Sequence, residues 1–195
     1  MLERAVEIVG RWNRIHGTDF SVSVNLSGLH FKGDDALGFV VAALGRHDFP
    51  ARSLTLEITE TTQIANWQAV GRELSVLRGL GCRISIDDFG AGYSSLAYLR
   101  KCMADELKID RSLVQDIDTS PKAQFILDAV LDLARSLELS VVAEGIERDA
   151  QLDSLVLLGC EIGQGYLFGK PAPAEQALGV ATHAADNTGA IAAKG

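Results

Sequence analysis

Cysteine is scarce in this sequence: three in 195 residues, at Cys82, Cys102 and Cys160. They are odd in number and far apart, so they build neither a disulfide framework nor a Cys-x-x-Cys site. Each sits among apolar residues and reads as a buried free thiol. Histidine is nearly as sparse: His16, His30, His47 and His183 form no spaced ligand pair. That disfavours zinc chemistry and leaves them as surface or loop residues. No apolar run approaches the roughly 20 residues that cross a bilayer, and no signal-peptide pattern precedes the first helical stretch. The expectation is a cytoplasmic chain without a membrane segment, whatever sensor or membrane domains a parent protein carries upstream. A basic excess is missing too. The net charge of −8 argues against a nucleic-acid polymer as partner, which would call for a basic patch.

What is present is ordinary globular material, 47% hydrophobic and 23% charged, enough for one substantial core. Apolar periodicity predicts helices over 3–15, 35–46, 66–79, 94–101, 121–137, 148–158 and 174–182. Ser120 followed by Pro121 marks a helix start. Strand-like runs lie between them at 20–27, 53–59, 83–88, 105–110, 140–144 and 160–166. The folded part is expected to end near residue 182, and the small, alanine-rich stretch 183–195 to be a disordered tail.

Six strand–helix units in alternation argue for a parallel sheet with helical crossovers. An open doubly wound sheet would be apolar on both strand faces, but these strands are apolar on one. The other face carries Ser21, Ser23 and Asn25; Thr55 and Glu57; Ser85 and Asp87; Glu106, Lys108 and Asp110; Val142 and Glu144; and Ile162 and Gln164. Helices covering the apolar face of a barrel, with a polar site at the strand ends, account for this. Asn25, Glu57, Asp87, Lys108, Glu144 and Gln164 would ring the carboxyl-terminal mouth. Asp87-Asp88-Phe89-Gly90-Ala91-Gly92 is the most suggestive stretch. A lone Asp-Asp before glycine is more often a capped turn, but within such a ring it suits a hard cation such as magnesium or manganese.

With those residues in hand, the chain resembles the EAL-domain family of cyclic di-GMP phosphodiesterases from about residue 3 to residue 173. The resemblance is carried by Ser23-Val-Asn25-Leu-Ser27, Leu56-Glu57-Ile-Thr-Glu60, Asp87-Asp88-Phe-Gly-Ala-Gly-Tyr-Ser-Ser95, Leu107-Lys108-Ile-Asp110, Val142-Ala-Glu144-Gly-Ile-Glu147 and Gly163-Gln164-Gly-Tyr-Leu-Phe168. It implies a TIM-like (β/α)8 barrel, here incomplete with about six βα units. It also implies two divalent cations, Mg2+ or Mn2+, and hydrolysis of cyclic di-GMP to linear pGpG. By the same resemblance Asn25 and Glu57 serve one metal, Asp88 and Glu144 the other, and Asp87 bridges. Lys108 would hold the water or the phosphate. Glu144 matches the proposed general base, although orientation and coordination of the water are an alternative role. Gln164 suits phosphate or water contact, Glu60 would anchor the loop 88–95, and Glu147 would stand behind the ligands. Asp110 is read equally as a structural cap or a ligand contact.

The sequence also departs from the family. No Glu-Ala-Leu tripeptide occurs, so the metal ligand and the arginine associated with that strand are absent, along with about two βα units. Ala91 stands where threonine is usual, and Cys102-Met103-Ala104 where Leu-Pro-Val is common. Six barrel strands would leave two open edges and an exposed inner wall. Either the chain is part of a longer protein or another chain fills the gap, and the 195 residues alone are expected to have little phosphodiesterase activity. The competing reading is an inactive cyclic di-GMP-binding or protein-interaction module. A homodimer through the helix near 94–101 is a further expectation; Leu96, Tyr98 and Leu99 would be exposed there, unless they are core.

Overall fold

In the computed structural model, residues 1–26, 36–59, 67–92, 99 and 103–185 are described, 67–70 and 181–185 by their backbone only. Ser27, His30, Glu60, Leu96, Tyr98, Cys102 and the stretch 186–195 lie outside the described residues, as does most of the helix expected over 94–101. The elements run α1 Leu2–His16, β1 Val22–Asn25, α2 Ala36–His47, β2 Leu54–Thr59, α3 Trp67–Gly79, β3 Arg83–Phe89, β4 Glu106–Ile109, α4 Arg111–Val114, α5 Pro121–Ser136, β5 Ser140–Ala143, α6 Asp149–Leu157, β6 Ile162–Gly163 and α7 Ala174–Ala185. The strand order is β1-β2-β3-β4-β5-β6, the order of the sequence. The pairs β1–β2, β4–β5 and β5–β6 are parallel, as helical crossovers require.

Contacts divide the chain into two compact units, residues 1–86 with 95–105 and residues 87–94 with 106–195. The first is built on α1, whose Leu2, Val6 and Val9 recur at helical spacing and pack with Val40 and Leu44 of α2 and Leu54, Leu56 and Ile58 of β2. Full burial of each such side chain contributes about 1.5–3 kcal/mol. Leu99 is also buried, which matches the core alternative of its two readings. The start of β4 needs no proline to hold it. Asp105 donates its N–H to Ile84 O at 2.8 Å, accepts from Ile84 N at 2.9 Å, and pairs with Arg78 at 2.6 Å.

The second unit closes over Ile109, Val114, Ile117, Leu127, Leu131, Ile146 and Leu155. Helix α5 starts as the sequence indicates: Ser120 Oγ accepts from Ala123 N, and Pro121 follows, where its missing N–H costs nothing. Three local features differ from expectation. Strand β6 keeps only two residues, α4 is an unforeseen single turn, and α7 runs three residues past 182. Cys82 and Cys160 are buried free thiols. His16 and His47 end helices rather than sitting in loops.

Part of the polar strand face is exposed as expected of an incomplete barrel, at Ser21 and Asn25, and part of it is not. Thr55, Glu57 and Ser85 in the first unit, and Asp87, Glu106 and Lys108 in the second, are all buried. Burying such groups is unfavourable unless they find partners, and in the second unit Lys108 pairs with Asp87.

Candidate metal centre

In a strand, consecutive side chains point to opposite faces, so Asp87 and Asp88 would ordinarily diverge. They do not, because Asp88 takes a left-handed conformation with φ 57°, one that aspartate tolerates better than most residues. Asp87, Asp88 and Glu144 each bring a carboxylate oxygen within 4.8 Å of the others. Lys108, on β4, joins them: its Nζ lies 3.0 Å from Asp87 Oδ1 and 2.7 Å from Glu144 Oε1. Asp87 Oδ1 is buried, and among the described residues no hydrogen-bond donor is aligned on it. The ammonium is near enough to attract this oxygen without the geometry of a hydrogen bond.

Electrostatics at this cluster favour a cation. Burial pushes the Asp88 carboxyl above its ordinary value, repulsion from Asp87 and then Asp110 adds to the shift, and Lys108 partly offsets it. Three carboxylates against one ammonium leave a formal charge of −2. An all-oxygen donor set of that charge, with one buried oxygen lacking a donor, suits a hard divalent ion. The side chains present fit such an ion.

The chain around Glu144 is held tightly. Glu144 donates its N–H to Ile109 O at 3.0 Å, just past the end of β5. Gly145 follows at φ 71°, where a Cβ would stand 2.6 Å from Cβ and Cγ of Arg111. Gln164 donates its backbone N–H to Ala143 O and accepts from Ile146 N on its own carbonyl. A Cβ on Gly165 would lie 2.1 Å from Ile146 O, the steric reason a glycine follows Gln164. Asp110 caps α4, its Oδ1 accepting from Ser112 N at 2.9 Å; of the two readings of this residue, this contact matches the cap. Glu147 forms a two-pronged pair with Arg111, at 2.9 and 3.2 Å.

In the first unit, the register sets Asn25 opposite Glu57, and Asn25 Nδ2 donates to Glu57 Oε2 at 3.1 Å. Glu57 is buried. Sequence reasoning missed Arg111, Arg148 and Gln151, which hold the loop after β5. The only signal was a glutamine at the third position of a helix, and without Ser or Thr at the cap that is weak.

Parallel strands joined by helices, with a carboxylate cluster at strand ends, define an α/β barrel protein of the TIM type with an acidic site. A family model described as the EAL domain matches residues 1–171. The chain belongs to the EAL domain family. It is 41% identical over 178 residues to the bifunctional diguanylate cyclase/cyclic di-GMP phosphodiesterase MucR of Pseudomonas aeruginosa, covering 91% of this chain and 26% of MucR. A solved MucR phosphodiesterase in complex with c-di-GMP superposes with a TM-score of 0.82 at 41% identity, covering 90% of this chain and 71% of that one. BlrP1 of Klebsiella pneumoniae, solved in complex with manganese and cyclic di-GMP, gives a TM-score of 0.78 at 31% identity, covering 87% and 43%. The fold is accordingly the EAL-type barrel, with six of its strands among the described residues. The chain spans about a fifth to a quarter of the length of the curated relatives it matches most strongly. Among the described residues no helix is long and apolar enough to cross a membrane.

Proposed function

We propose that this chain carries the site of a metal-dependent phosphodiesterase that hydrolyses cyclic di-GMP to linear pGpG. The observation that carries the reading is the cluster of Asp87, Asp88 and Glu144 around Lys108 in a chain of the EAL family. When bound, two divalent cations, magnesium or manganese, supply Lewis-acid stabilisation of phosphate charge and an acidified water. As the family resemblance implies, Asn25 and Glu57 would hold one of them and Asp88 and Glu144 the other, and Asp87 would serve both. The water oxygen forms a bond to phosphorus, and the ribose 3′ oxygen leaves and takes up a proton.

The chain's own groups serve that displacement. Lys108 places an ammonium against the water or a phosphate oxygen, where negative charge develops. Glu144 accepts the water proton, or orients the water as a ligand. Gln164 offers an amide to phosphate or water. By the family resemblance Glu60 would anchor the loop 88–95, while Glu147 supports the residues around Glu144 through Arg111 and Asp110 caps the turn after Lys108.

The test is direct. The chain, alone and fused to the βα units it lacks, is incubated with cyclic di-GMP and Mn2+, and the products are separated by chromatography. The fused form is expected to yield pGpG, and the chain alone little. Asp87→Asn in the fused form should lose more activity than Gln164→Ala, because one carboxylate serving two cations outweighs one amide contact. Retention of near-wild-type turnover by Asp87→Asn would remove the two-metal reading. Binding of cyclic di-GMP without any product would identify a binding module instead.

A further inference from the structure

Gln151 is 2% exposed, and its amide uses its whole hydrogen-bonding capacity. Its Oε1 accepts from Glu147 N at 2.9 Å and from Arg148 N at 3.0 Å, while its Nε2 donates to Val114 O at 3.4 Å and Gln115 O at 3.1 Å. One side chain therefore ties the loop that follows Glu144 to the turn that follows Lys108 and Asp110. Two more links run in parallel. Arg148 grips Asp118 through Nε and Nη2, at 3.1 and 2.7 Å, and donates to Gln115 O at 2.7 Å. Arg111 holds Glu147. Capping a helix needs only the oxygen of Gln151; the two bonds from its nitrogen cross to another element and do nothing for the helix.

We propose that Gln151 is a positioning residue for the metal centre, setting the place of Glu144 relative to Lys108 and Asp87 through the backbone at 147–148. The proposal rests on the metal-dependent reading above. Glu144 lies three residues before the clamped amide of Glu147, and Gly145 between them is pressed against Arg111. A shift of this loop moves a carboxylate that stands 2.7 Å from Lys108. Groups hydrogen-bonded directly to metal ligands typically cost about 10–100-fold in metal affinity or activity when lost; Gln151 acts one step further back, through the backbone at 147–148, which sets the expectation at the lower end of that range.

Gln151→Glu keeps the acceptor for both backbone N–H groups and removes the donor to Val114 and Gln115. Gln151→Met removes both at similar volume. Leu155→Ala, a core change on the same helix, is the control for loss of stability alone. Mn2+ affinity of each metal-free protein is measured by calorimetry, thermal midpoints by circular dichroism, and kcat and KM on the fused form. Gln151→Glu is expected to stay folded and to bind Mn2+ about tenfold or more weakly, with kcat reduced and KM nearly unchanged. Leu155→Ala should lower the midpoint at unchanged Mn2+ affinity. Wild-type affinity and kcat in a folded Gln151→Glu would overturn the proposal, as would an equal loss of affinity in Leu155→Ala. Should Gln151→Glu fail to fold, Gln151→Met below its midpoint decides on the same criterion. Mn2+ binding without turnover in the wild-type fused form would overturn the hydrolase reading alone and leave Gln151 to be judged on affinity. A wild type that binds no Mn2+ would overturn both.

Discussion

Asp88 concentrates the residue-scale argument. Its left-handed backbone brings a second consecutive carboxylate to the cluster of Asp87 and Glu144, and its carboxyl is raised above the ordinary value, first by burial and then by repulsion from Asp87 and Asp110. The folded-state value lies above the unfolded one, so the folded protein binds the proton more tightly. Ionised Asp88 therefore weakens folding, increasingly as pH rises from the ordinary aspartate value through the raised one. Asp88→Asn should raise the urea midpoint of the metal-free protein at pH 7. Asparagine also tolerates a positive φ, and that benefit is independent of pH, so the advantage should shrink towards about pH 4 without changing sign. An advantage equal at both pH values, in paired urea titrations, would mean that burial and repulsion together do not disfavour ionised Asp88. The same substitution should weaken Mn2+ binding, because it discards an anionic oxygen ligand. Stability gained and metal affinity lost in one variant is the pattern of a site strained for function.

At the scale of elements, the loops after strands β4, β5 and β6 interlock by close backbone approach. Gln164 is held between Ala143 O and Ile146 N, and the next residue has room for hydrogen alone, since a Cβ on Gly165 would meet Ile146 O at 2.1 Å. Backbone cannot rotate aside as a side chain can. Gly165→Ala should cost at least about 1–3 kcal/mol by overpacking, read as a lowered denaturant midpoint at unchanged m-value. Gly169, with nothing within 4 Å of a built Cβ, is the comparison site, where alanine should be nearly neutral. A neutral Gly165→Ala would show that the loop after β5 yields more readily than its hydrogen bonds suggest.

At the scale of the whole molecule, the net charge is −8, and an acidic cluster of which only Asp87 is buried adds local repulsion to that field. A cation that binds only the folded state stabilises it by mass action, about 2.7 kcal/mol at a hundredfold excess over Kd. Mn2+ is therefore expected to raise the thermal midpoint of the wild-type chain by several degrees, EDTA to reverse the rise, and Asp87→Asn to abolish it. An unchanged midpoint at millimolar Mn2+, followed by calorimetry, would count against a metal centre in this chain.

The sequence by itself determined the alternation of strands and helices, because apolar spacing of two and of 3.6 residues is local and each element's inward face follows from it. It also marked Asn25, Glu57, Asp87, Lys108 and Glu144, since charged and amide groups on otherwise apolar strands stand out by type and position. Residues 27–35, 60–66 and most of 93–102 lie outside the described structure, and Glu60 with them. Only the tertiary structure decided how the marked groups meet. The left-handed turn at Asp88 has no signature in residue type, since Asp-Asp before glycine is equally at home in an ordinary turn. The burial of Thr55, Ser85 and Glu106 likewise depends on what packs over a strand face. Gln151 is the clearest case: its four bonds reach Glu147 and Arg148 beside it and Val114 and Gln115 some 36 residues away. A local pattern encodes which side chains an element presents, but a contact across the chain exists only once both elements are in place.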